Sequence, residues 1–119
     1  MTSRKLNFQS VGTSPLMRVA VPSLVTSLPH DMATYRVVLY AGYDDNDAFW
    51  AKRGPWKDKV VNGMTIKFVQ CPCRAMVCNT NCIMNTAYND GAMYFFRSND
   101  DTALAKGQDW ISTFASVLA

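Results

Sequence analysis

Apolar positions in the 119-residue chain fall into short runs separated by polar, proline-marked or glycine-marked breaks. Four runs read as β-strands: Met17 to Val21, closed by Pro22; Tyr35 to Ala41, closed by Gly42; Met64 to Val69, ending before Cys71; and Ala92 to Ser98. Between the first two, Ser23 to Leu28 leaves room only for a short helix before Pro29. Asn79 is placed to cap a helix in which Ile83 and Ala87, and Met84 and Tyr88, stack at i, i+4, and Gly91 stands where such a helix releases the chain. At the C-terminus Ile111, Phe114, Ala115 and Leu118 form an amphipathic stripe, with Asp109 at its positive end. Strands alternating with crossover-length segments predict an α/β fold: a Rossmann-like, mostly parallel sheet of about four strands with flanking helices and right-handed crossovers.

Composition narrows the partners. Apolar residues make up 49% of the chain, yet no run approaches the roughly 18 to 20 residues that cross a bilayer, so no membrane span is expected. Basic residues near Met1 are not followed by an apolar core, so no secretory signal is expected, and the compartment is left open. Residues 1–15 read as a mobile arm and 16–119 as one domain. A net charge of +3 suits a phosphate-bearing ligand without identifying one. Lys52, Arg53, Lys57 and Lys59 around Gly54-Pro55-Trp56 read as a solvated loop, and no nucleic-acid partner is expected.

The chemistry gathers at two run ends. Asp44-Asp45-Asn46-Asp47 follows the second run and Asn99-Asp100-Asp101 follows the fourth. In open parallel sheets ligands bind beyond the carboxyl ends of the strands, and carboxylate and amide oxygens are the donors that Mg²⁺ and Mn²⁺ prefer. The plainer reading is that Asp and Asn form turns and cap helices.

These segments, together with Asn85-Thr86-Ala87-Tyr88-Asn89-Asp90-Gly91-Ala92-Met93-Tyr94-Phe95, resemble the nucleotide-sugar half of a GT-A glycosyltransferase over about residues 17–119. The resemblance implies a glycosyltransferase-like domain that binds a nucleoside-diphosphate sugar through Mn²⁺ or Mg²⁺ at an Asp-x-Asp-like motif. By position, Asp101 matches the direct metal ligand, Asp100 the middle residue, shared between metal and substrate, and Asn99 the acid that faces the ribose or a metal-bound water. Asp44 resembles the acid near the nucleoside, with Asp45 and Asp47 as alternates. A metal there would neutralise charge on the departing diphosphate. Asn99 in place of an acid weakens the metal site, and Met93 stands where another acid is common. Acceptor-binding strands and a catalytic base would lie outside this chain, which makes it a fragment of such an enzyme, with its catalytic residues unassigned and its enzymatic status open.

Cys71, Cys73, Cys78 and Cys82 carry a rival reading, a small zinc module, although one residue between Cys71 and Cys73 suits chelation poorly. Without an export signal, disulfides are not expected, and buried thiols are the plainer reading. A non-catalytic α/β interaction domain is the other alternative. His30 has no second histidine to act with, the tryptophans read as packing residues, and no phosphate-binding glycine loop or nucleophile elbow is present.

Overall fold

The computed structural model describes residues 14–52, 54, 56–73, 75–99 and 102–118. A π-helical turn (Leu16–Ala20) runs directly into α1 (Val21–Ser27), followed by α2 (Asp31–Thr34) and β1 (Val38–Asp44). β2 (Lys59–Val61), β3 (Met64–Cys71), α3 (Met76–Asn89) and α4 (Trp110–Leu118) complete the order. The proposed arm, residues 1–15, lies outside the described residues except for Ser14 and Pro15.

The sheet corrects the expected one. It has three strands in the order β1-β3-β2, with β1 parallel to β3 and β2 antiparallel to it, so it is mixed and not a four-strand, mostly parallel Rossmann-like sheet. Two of the four expected strands are absent for separate reasons. Met17 to Val21 is helical because its buried set, Leu16, Ala20 and Val21, with half-buried Leu24, recurs at helical spacing, whereas Val19 is exposed. Ser14 and Pro15 start that helix, Ser14 Oγ accepting from the Met17 N–H at 3.4 Å. The wide turn, closed by Val21 N–H to the Leu16 carbonyl, immediately precedes Pro22, whose ring would clash with a carbonyl held in regular α-helical register.

Ala92 to Ser98 also forms no strand. Gly91 (φ +94°) ends α3 in a Schellman turn: the Gly91 N–H donates to the Tyr88 carbonyl and the Ala92 N–H to the Ala87 carbonyl. The chain then runs back along the surface toward the start of α3, and Phe96 packs against Trp110 and Phe114 of α4, at centroid distances of 4.4 and 6.0 Å. Phe96 thus packs on a helix and not in a sheet.

Period-two alternation divides the core into two halves. Leu39, Ala41 and Tyr43 of β1, with Met64, Ile66 and Phe68 of β3, face the N-terminal helix and the Phe49, Trp50 and Trp56 cluster. Val38 and Tyr40, with Val69 and Cys71, face Ile83 and Ala87 of α3. The result is a helix, sheet, helix sandwich with β3 at its centre. Asn62 and Gly63, both at positive φ (47° and 85°), form the two-residue hairpin turn that joins β2 to β3.

Two disulfides staple α3 to the end of β3. Cys71 pairs with Cys82 and Cys73 with Cys78, one nested within the other. This overturns both the buried-thiol reading and the zinc module, since no described cysteine keeps a free thiolate for a metal. The pairing works because α3 begins at Met76, which puts Cys78 and Cys82 one turn apart at i, i+4, each within reach of a cysteine at the end of β3 or just beyond it.

Candidate functional site at the start of helix α3

Asp44 is the last residue of β1 and lies opposite Cys71, the last of β3. The two parallel strands therefore end together, and α3 begins just beyond them. Asn79, in the first turns of α3 and 3% exposed, donates from Nδ2 to Asp44 Oδ1 at 3.0 Å. Asn79 thus orients the carboxylate and does not cap α3, the role expected of it; the capping position belongs to Ala75, whose side chain can accept nothing. The Asn79 Oδ1 has no hydrogen-bond partner among the described residues. It faces Gly42, where an added Cβ would come within 2.8 Å of it and overlap Ile83. Glycine is what lets α3 approach the strand this closely.

The second wall of the site comes from the segment after α3. Arg97 reaches back to the first residue of that helix, its Nη2 contacting Met76 Sδ at 2.7 Å. Phe96, Arg97, Ser98, Asn99, Thr102 and Leu104 line a groove of about 220 Å³. Asn99 is exposed, and its carbonyl accepts from the Thr102 N–H at 3.3 Å. Ser23 Oγ, on α1, donates to the Thr102 carbonyl at 3.3 Å and ties this segment to the first helix.

Of the residues the sequence singled out, Asp44 stands at the strand end as expected, and Asn99 stands in a groove wall and not at the end of a strand. Asp100 and Asp101 lie outside the described residues. Asp47 is committed to its own turn, its Oδ1 accepting from the Phe49 and Trp50 N–H groups at 2.9 and 2.8 Å, while Asp45 is exposed beside it. Arg97 and Asn79 were not assigned to the site by sequence. Asn79 carried a signal, a polar residue on the sheet-facing side of a patterned helix, whereas Arg97 carried none, since its position depends on the return of an irregular segment.

Electrostatically the site suits an anion at one end and hydroxyl groups at the other. The guanidinium of Arg97 and the N-terminal end of a 14-residue helix both favour negative charge. Among the described residues no three His, Cys, Asp or Glu side chains converge as a metal site, and no helix is long and apolar enough to cross a membrane. No protein-family model, no curated protein and no solved structure matches the chain.

Proposed function

We propose that the chain binds a nucleoside-diphosphate sugar across the start of α3, with the diphosphate toward Arg97 and the nucleoside toward Asp44. The observation that carries this reading is that Asp44 and Arg97 are both fastened to the first turns of one helix, through Asn79 and Met76, at the shared carboxyl end of two parallel strands. Phosphate oxygens would accept hydrogen bonds from the guanidinium and from backbone N–H groups at the helix end. Asp44 spends one oxygen on Asn79 and retains acceptor capacity for ribose hydroxyls. The groove of about 220 Å³ is smaller than a pocket for a whole small molecule, so the ligand would extend from it across the helix end.

Resemblance supplies the rest of the reading. Asp101 and Asp100 are the residues that would hold Mn²⁺ or Mg²⁺, and glycosyl transfer is the reaction the bound donor would serve. The activity proposed for this chain is binding.

Titration calorimetry with UDP and GDP, with and without Mn²⁺, tests the reading. Metal-dependent binding is expected, and Asp101→Ala should remove the metal dependence. Charge-assisted hydrogen bonds contribute about 1.5 to 3 kcal/mol, so Arg97→Ala should weaken binding by about 10- to 150-fold. A folded protein that binds neither nucleotide under any of these conditions sinks the proposal.

A further inference from the structure

The two disulfides occupy different environments. Cys71 is 0% exposed at the end of β3, and Cys73 is 2% exposed two residues later. Their partners differ in turn: Cys82 is half-buried against the sheet, whereas Cys78 is exposed in the first turn of α3. Of the four cysteines only Cys78 is exposed, and it belongs to the inner bond, whose partners are five residues apart in sequence.

Thiol–disulfide exchange requires a thiolate to approach one sulfur in line with the bond, so accessibility decides which bond reacts and at which end. We propose that Cys73–Cys78 is a thiol-exchange site that reacts through Cys78, while Cys71–Cys82 is the structural staple. An incoming small-molecule thiolate of the glutathione class forms a bond to Cys78 Sγ. The Cys73–Cys78 bond breaks, and its electron pair leaves on Cys73 Sγ, which takes a proton from solvent. A second thiolate then attacks the mixed disulfide and releases Cys78 as its thiolate. The small thiol leaves oxidised as its own disulfide, and Cys73 and Cys78 remain as a reduced pair.

The outer bond keeps the fold intact through this cycle. Cys71–Cys82 holds α3 one turn further along, where Ile83 and Ala87 pack on Tyr40 and Val69. Opening Cys73–Cys78 therefore frees only the first turn of α3 and the residues before it. The site is a place where the chain can be S-thiolated or reduced without losing its core.

Graded reduction of the native protein with glutathione, followed by alkylation and peptide fragmentation, tests this. The Cys73–Cys78 cross-link should be lost at glutathione concentrations that leave Cys71–Cys82 intact, with the glutathione adduct on Cys78. In Cys73→Ala, oxidised glutathione should load Cys78 stoichiometrically; in Cys78→Ala, Cys73 should resist loading, with circular dichroism confirming that both variants are folded. Loss of Cys71–Cys82 first, simultaneous loss of both, an adduct on Cys73, or resistance of both bonds overturns the proposal.

Discussion

Tyr40 joins the buried half of the sheet to a charged surface cluster. Its ring packs beneath α3, and its hydroxyl donates to Asp90 Oδ2 at 2.8 Å, which also takes Lys67 Nζ at 3.3 Å. Burial first, and the bonded Asp90 carboxylate second, push the Tyr40 hydroxyl from 10.0 up to about 12. The same bond, followed by the one from Lys67, holds Asp90 below the ordinary carboxylate value. Because the folded value of Tyr40 lies above the unfolded one, its contribution to stability is complete below pH 10 and is lost as pH rises through about 12. A phenolate absorbance titration should show a last tyrosine ionising near pH 12 that disappears in Tyr40→Phe. Ionisation of every tyrosine around pH 10 would contradict the cluster. The neighbouring Gly42 shows the same economy of space: a residue legible in sequence only as a strand terminator is the contact point between β1 and α3.

Among the elements, α2 and α4 cap each other. Asp109, at φ 46°, accepts from the His30 and Asp31 N–H groups at 2.8 and 2.9 Å, while Asp31 Oδ2 accepts from the Ile111 and Ser112 N–H groups at 2.7 and 3.3 Å. Asp31 opens α2 and Asp109 immediately precedes α4, and each carboxylate accepts from N–H groups at the start of the other helix. Asp109→Ala and Asp31→Ala should each cost about 1 to 2 kcal/mol in urea unfolding, and the double variant less than their sum, since both bonds close one interface. Strict additivity would mean that the two caps act independently. Asp109 was placed correctly at the start of a helix by sequence; that its carboxylate serves a different helix, 78 residues away, follows only from packing. The same contrast runs through the other elements. β3 and α3 were legible because their patterns match their periods, although α3 begins three residues before Asn79. β1 runs from Val38 to Asp44, beyond the Gly42 expected to close it. The β2 hairpin was missed despite Asn62-Gly63, a sequence suited to a two-residue turn at positive φ. Ala92 to Ser98 misled because an aromatic run is equally apt to cover a neighbouring helix, and nothing local distinguishes the two.

At the scale of the whole molecule, a three-strand sheet between helices is a small core, and the two disulfides supplement it. By loop-closure entropy the Cys71–Cys82 bond contributes on the order of 2 to 3 kcal/mol, and it does so where the proposed site is built. The site depends on long-range arrangement: β1 and β3 end together, α3 is stapled over them, and the segment after α3 returns to its first residue. Asp44 and Asn99 are separate signals in the sequence; the fold ties Asp44 to α3 through Asn79 and places Asn99 in a groove with Arg97, which contacts the first residue of α3. The most direct test is a ¹H–¹⁵N NMR titration of the protein with UDP and with GDP in the presence of Mg²⁺. The account predicts shifts concentrated at Asp44, Met76 to Asn79 and Arg97 to Asn99; no shifts with either nucleotide, or shifts confined to Lys52 to Lys59, would contradict it.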